Sequence, residues 1–188
     1  MLNLLICEII YLEIRIEFQN KSQNNASNIA VKQYYNQNDN LDNTLISNLP
    51  PFPDYFDKRE NLFNSLKNGM ENFENNQLKF LVIHGIAGIG KTTLALYFAH
   101  FFKRFAKNHV ALWINAENED KIIDSYKDFF KIDKKNYILD FNRHIDLSIR
   151  ESKINILLVY DNVENYDLFL KQINNLKSVK IIVTLRYL

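Results

Sequence analysis

"HGIAGIGKTT", residues 84–93, contains three of the four glycines in the whole chain, at Gly85, Gly88 and Gly90; the fourth is Gly69. A chain this poor in glycine has gathered nearly all its backbone freedom into one turn. The turn follows "KFLVIH" (79–84), a short β-rich run, and precedes "KTTLALYFAHFFKRF" (91–105), whose apolar spacing predicts a helix. Gly85-Ile86-Ala87-Gly88-Ile89-Gly90-Lys91-Thr92 matches the pattern G-x-x-x-x-G-K-[ST] in the strand–turn–helix setting that its chemistry requires. Glycines let the backbone N–H groups turn inward as a concave nest. The start of the following helix adds unpaired amides and a partial positive charge. This is the pattern of a phosphate-binding loop. Lys91 would reach the β- and γ-phosphates, Thr92 would ligand Mg²⁺, and Thr93 would contact the α-phosphate through its hydroxyl or amide.

Such a loop leaves a metal site half built, and the other half should be an apolar strand ending in a carboxylate. "INILLVYD" (154–161) is the most strand-like run in the chain and ends in Asp161, which would hold Mg²⁺ directly or through water. The plainer alternative is an aspartate capping the next helix. Asn162 follows where many hydrolytic proteins of this kind carry a second acidic residue. Without that carboxylate, activation of water has no obvious base, and Glu164 suits a solvated helix start. The residues therefore favour binding over turnover. "VKIIVTLR" (179–186) brings Thr184 and Arg186 to the carboxyl edge of the sheet, where Arg186 would neutralise a γ-phosphate.

The remaining runs alternate in kind. Helical spacing marks 59–73, 118–130, 139–151 and 164–174, and "HVALWIN" (109–115) reads as a strand. Strands alternating with helices predict an α/β fold with right-handed crossovers and a parallel sheet covered on both faces. An apolar fraction of 47% is enough for such a core. Residues 19–48 are dominated by Asn, Gln and Ser, and all three prolines fall at Pro50, Pro51 and Pro53. The expected organisation is an N-terminal extension and linker over 1–48, disordered or loosely attached, and a folded domain over 49–188. Within the extension, Leu12, Ile14, Ile16 and Phe18 alternate with Glu13, Arg15 and Glu17, the periodicity of a short strand.

Net charge excludes little chemistry but some partners. With 23 basic and 22 acidic residues, the chain presents no nucleic-acid footprint. Its first residues lack a basic leader and carry Glu8 within the apolar run, so neither a secretion signal nor a membrane span is expected. The single Cys7 excludes an intrachain disulfide and fits a reducing, cytoplasmic setting. Four scattered histidines offer no metal-ligand spacing.

Together, four blocks resemble the NB-ARC group of STAND P-loop NTPases, nucleotide-dependent signalling switches. "NLPPFPDYFDKRENLF" is similar to the lead-in to that family's first helix, and "HGIAGIGKTTLALYFA" to its Walker A block. "LLVYDNVEN" is similar to its Walker B block, with Asp-Asn in place of Asp-Asp, and "KIIVTLR" to its sensor strand. "ALWINAENEDKIIDSYKDF" resembles the second strand and helix of bacterial-type members with tetratricopeptide repeats. The likeness spans about residues 49–186. It implies that Gly85 to Thr93 cradle the phosphates of ADP or ATP, that Thr92 and Asp161 serve Mg²⁺, and that Arg186 is the sensor arginine. Phe56, Arg59 and Glu60 match the lead-in motif near the adenine, where Lys58 replaces a glycine; Leu185 stands where a small hydroxyl residue is usual.

The resemblance also implies a P-loop NTPase fold, three layers in the order αβα. With strands S1 (79–84), S2 (109–115), S3 (154–161) and S4 (179–185), the expected order is S2–S3–S4–S1. The family's fifth strand and its C-terminal domains have no counterpart here, so S1 is expected as an exposed edge of an incomplete sheet. The expected function is purine nucleotide binding with Mg²⁺ at the core of a signalling switch, with slow hydrolysis at most. The partners of a longer relative would be its own C-terminal domains or other signalling proteins. The alternatives are a self-contained P-loop kinase or NTPase, for which no arginine-bearing lid is found, and a non-functional remnant.

Overall fold

A computed structural model of the chain describes residues 11–15, 47–53, 56, 59–71, 80–130, 134–176 and 178–185. Its strands are β1 (Tyr11–Arg15), β2 (Phe80–His84), β3 (His109–Asn115), β4 (Asn155–Val163) and β5 (Lys180–Leu185). Its helices are α1 (Glu60–Glu71), α2 (Lys91–Phe105), α3 (Glu119–Lys127), α4 (Tyr137–Ser152) and α5 (Tyr166–Ile173). β2 to β5 form an all-parallel sheet in the order β3-β4-β5-β2, which is the order expected from the sequence.

The path of the chain decides where the helices go. From β2 it crosses through α2 to β3 at the far side, then returns through α3 and α4 to β4 and through α5 to β5. Right-handed crossovers place helices on opposite faces when the direction reverses. α1 and α2 therefore pack on one face, against Leu81, Ile83, Ala111, Trp113, Leu157, Val159 and Ile182. α3, α4 and α5 pack on the other, against Phe80, Val82, Leu112, Ile114, Leu158, Tyr160, Ile181 and Val183. The alternation along each strand is the two-residue period of the pleat, and with both faces covered the strands read as unbroken apolar runs. α3 and α5 start on Asn118 and Asn165, whose side chains accept from the Lys121 and Leu168 amides.

Two expectations need correction. The S1 strand, β2, is not an exposed edge: β1 runs parallel along its whole length, from Tyr11 opposite Phe80 to Arg15 opposite His84. Nor does β4 stop at Asp161, because its pairing resumes at Val163. The extension's strand periodicity is realised over residues 11–15, while its continuation through Phe18 and the Asn-rich stretch to residue 46 lie outside the described residues.

The segment before α1 is fastened to α2. His100 Nε2 donates to the Pro50 carbonyl at 3.1 Å, and Phe52 packs on Phe56, Tyr97 and His100. Burial pushes the His100 imidazolium pKa below its ordinary value; the Pro50 carbonyl opposes this, and Arg104 and Lys103 add to it. The unfolded chain therefore binds the proton more readily than the folded one. Stability contributed by neutral His100 is present above the unfolded pKa of about 6.5 and is lost as pH falls through the folded one. Acidification from about pH 7.5 to about 5.5 should thus lower the denaturation midpoint of the natural chain more than that of His100→Gln. Equal slopes would contradict this assignment.

Behind β4 lies a buried chain of hydrogen bonds. Tyr126 donates to Gln172 Oε1 at 3.3 Å, which leaves its hydroxyl oxygen to accept from Tyr160 at 2.7 Å. Gln172 Nε2 donates to Tyr137, and Tyr137 donates to Glu119 Oε1 at 2.7 Å. Burial raises the pKa values of Tyr126 and Tyr160 well above the ordinary tyrosine value. Burial and the Glu119 carboxylate push Tyr137 up to about 12. All three remain hydroxyl donors at neutral pH.

Candidate functional site

The carboxyl ends of β2, β5 and β4 lie side by side, and three short segments converge there: residues 85–93, 161–162 and 184–185. Ligands bind outside the carboxyl ends of strands in open α/β sheets, because that is where the loops and helix starts face one another. Gly88 has φ +76 and Gly90 has φ +96, conformations that L side chains rarely adopt. A Cβ on Gly88 would meet nothing within 4 Å, and one on Gly90 would lie 3.9 Å from Arg59 Nη2. Conformation, and not crowding, demands glycine. Gly88→Ala should therefore cost about 1–2 kcal/mol, read as a lower denaturation midpoint; no shift would mean that the loop relaxes to another path.

Gly90 opens α2 without a side-chain cap, and the Leu94 amide closes the first helical turn on its carbonyl at 2.9 Å. Lys91 is buried at 8% exposure. Its Nζ donates to the carbonyls of Gly85 and Ile86 at 2.8 and 2.9 Å, tying the start of the loop to the start of the helix. Ile89 is buried among the apolar residues under α2, whereas Ile86 is 46% exposed.

Asp161 is the focus of the polar contacts. Its Oδ1 accepts from Thr92 Oγ1 at 2.9 Å and from Thr184 Oγ1 at 2.7 Å. The Thr184 hydroxyl also accepts from the Asn162 amide at 2.8 Å, so it works as donor and acceptor together. A β-bulge explains the arrangement. Tyr160 pairs with Val183 and Val163 with Leu185, which leaves one extra residue on β4. Asn162 takes it up at φ +62, a left-handed conformation that asparagine tolerates. On the other side, the Ala116 amide donates to the Asp161 carbonyl at 2.8 Å. The carboxylate is thus held from β5 and from α2, and the backbone carbonyl of the same residue from the residue that follows β3.

Beside these groups lies a cavity of about 280 Å³ lined by Ala87, Gly88, Gly90, Lys91, Thr92, Thr93, Asn162, Thr184 and Leu185; Asp161 is not a lining residue but bonds to two of them, Thr92 and Thr184. Of the residues singled out in the sequence, Gly85 contributes a carbonyl to Lys91, and Ile86 and Ile89 shape the loop without lining the cavity. Arg59 reaches Gly90 from the start of α1, in a left-handed conformation at φ +45. Phe56 is not among the lining residues; it packs on Phe52 and on Tyr97 of α2. Arg186 and Lys58 lie outside the described residues. Sequence reasoning missed the double role of Thr184 and the place of Asn162 in the wall. The available signals were an asparagine directly after a strand-end aspartate and a threonine inside an otherwise apolar strand.

Chemically, the site pairs an amide-rich helix start and a buried ammonium with a carboxylate and a hydroxyl 2.9 Å apart. The first set suits an anion and the second a hard, oxygen-seeking cation. Among the described residues there is no group of three or more His, Cys, Asp or Glu placed to hold a metal, and no helix long and apolar enough to cross a membrane. No protein-family model matches the chain, and no curated protein matches it.

Proposed function

We propose that the chain binds a purine nucleoside di- or triphosphate together with Mg²⁺, as the nucleotide-holding core of a switch of the NB-ARC and STAND P-loop kind. The observation that carries this reading is the meeting of Thr92 and Asp161 at 2.9 Å beside the Gly85–Thr93 loop. Those two residues lie far apart in sequence, and Asp161 was expected at magnesium because the loop calls for a carboxylate at the end of an apolar strand. The loop amides and Lys91 would hold the phosphates. Thr92 and Asp161 fit Mg²⁺ because both offer oxygen ligands, and a magnesium site needs few protein groups when phosphates and water complete it. Bound there, the ion would neutralise phosphate charge.

Slow turnover follows from Asn162. It lines the cavity next to Asp161, where a carboxylate would be placed to accept a proton from water; a carboxamide cannot do so. The chain's own residues therefore bind and orient a nucleotide better than they cleave it. Purine preference and membership of the NB-ARC group rest on the four sequence blocks.

Asp161→Asn tests the metal half. It keeps the shape and the hydrogen bonds of an acceptor oxygen but removes the charge. Nucleotide affinity measured without Mg²⁺ should change little. The gain in affinity on adding Mg²⁺ should fall by about tenfold or more, the loss of one charge-assisted ligand. An undiminished Mg²⁺ effect would overturn the assignment of Asp161.

A further inference from the structure

We infer, on the nucleotide and Mg²⁺ reading of the site, that Thr184 is the positioning residue of the magnesium ligand: it binds one oxygen of the Asp161 carboxylate and leaves the other for the cation. Both hydroxyls that reach the carboxylate go to the same atom, Oδ1, from Thr92 at 2.9 Å and from Thr184 at 2.7 Å. Among the described residues, Oδ2 accepts no hydrogen bond. A carboxylate oxygen carries two in-plane lone pairs, and two donors occupy those of Oδ1. The oxygen with open lone pairs is Oδ2, the one a hard cation would take. Two donors on one oxygen also keep the carboxylate from turning over, so the two oxygens do not exchange roles.

Thr92 shares its bond with a second task, since its own oxygen is a metal ligand in the same reading; Thr184 does not. Thr184 is 1% exposed, and its hydroxyl is engaged twice, donating to Asp161 and accepting from the Asn162 amide at 2.8 Å. The bulge puts it there. Tyr160 pairs with Val183 and Val163 with Leu185, so Thr184 alone stands opposite both Asp161 and Asn162. Those four flanking residues lie on the face covered by α3, α4 and α5, whereas Val159 and Ile182 lie on the face covered by α1 and α2. The two-residue period carries Asp161 and Thr184 to that second face, where α2 begins. The extra residue of a bulge is left unpaired in the ladder, and the Thr184 hydroxyl takes its amide. The rest of β5 from Ile181 to Leu185 is apolar, so packing does not call for a hydroxyl at position 184. Asp161 and Asn162 do.

The test titrates the full chain with ATP, with and without Mg²⁺, in the natural form and as Thr184→Val, Thr184→Ala and Thr184→Ser. The first two remove the hydroxyl, Thr184→Val without loss of volume, and Thr184→Ser keeps it. Losing a group that orients a metal ligand typically weakens metal binding by about 10- to 100-fold. The gain in ATP affinity on adding Mg²⁺ should therefore fall by about tenfold or more in Thr184→Val and Thr184→Ala and return in Thr184→Ser. Affinity without Mg²⁺ should change little in all three. In the nucleotide-free chain, the Asn162 amide should exchange its hydrogen faster in the two variants that lack the hydroxyl. A purely electrostatic role predicts the opposite sign for Mg²⁺, because a carboxylate that loses a donor becomes the stronger base. A Mg²⁺ effect undiminished in Thr184→Val and Thr184→Ala, or lost equally in Thr184→Ser, overturns the positioning role alone. So does unfolding of both hydroxyl-free variants, seen by circular dichroism, which would assign the hydroxyl to the fold. Absence of any Mg²⁺ effect in the natural chain overturns the metal reading itself, and the role of Thr184 with it.

Discussion

Lys91→Met should weaken ADP and ATP binding by at least about tenfold while leaving the fold in place. The estimate follows from losing one to two hydrogen bonds between an ammonium and phosphate oxygens, at about 1.5–3 kcal/mol each. Methionine is the useful replacement because the lysine stem is buried, and it fills the same slot without the charge. Two loop carbonyls, those of Gly85 and Ile86, lose their donor in this variant. Against that loss stands the relief of a buried charge from desolvation, so stability should shift by no more than about 1 kcal/mol. Titration with a fluorescent nucleotide and a denaturant curve on the same sample separate the two effects. Parallel loss of binding and of folding would make Lys91 a structural clamp. Retained affinity would remove it from the phosphate site.

Gln172→Leu should cost about 2–3 kcal/mol, more than the roughly 1 kcal/mol expected for Tyr160→Phe. Gln172 is fully buried and accepts from Tyr126 while donating to Tyr137. Without its oxygen, the Tyr126–Tyr160 pair holds two hydroxyl protons and only one bond between them. Whichever way the pair turns, one proton is orphaned in the core. Removing the Tyr160 hydroxyl instead leaves every remaining hydroxyl proton in the chain with an acceptor. Urea denaturation of the two variants checks the ranking. The reverse order would overturn the assignment of Tyr160 as donor to Tyr126.

Both predictions depend on features that differ in how far the sequence discloses them. The runs at 91–105 and 109–115 were readable residue for residue, because α2 and β3 are continuous apolar segments bounded by a glycine loop and by polar turns. The strand order was also readable, through the resemblance. The bulge was not. A period-two pattern carries no mark of one extra residue, and Asn162 differs from its neighbours only in tolerating a left-handed backbone. The pairing of β1 with β2 was hidden for another reason: parallel partners separated by some sixty residues share no local signal. The ring contacts of Phe56 with Phe52 and Tyr97 were likewise not legible, since they join a segment before α1 to the middle of α2. The tyrosine–glutamine chain left no trace either, since each member sits at an ordinary core position of its own helix or strand.

Nucleotide binding is tested most directly by equilibrium titration of the full chain with ADP and ATP, with and without Mg²⁺. Circular dichroism on the same preparation would report whether the chain is folded. Micromolar affinity, about −8 kcal/mol, is expected for at least one of the two nucleotides, strengthened by Mg²⁺ through Thr92 and Asp161. A folded chain that binds neither nucleotide at millimolar concentration would contradict it.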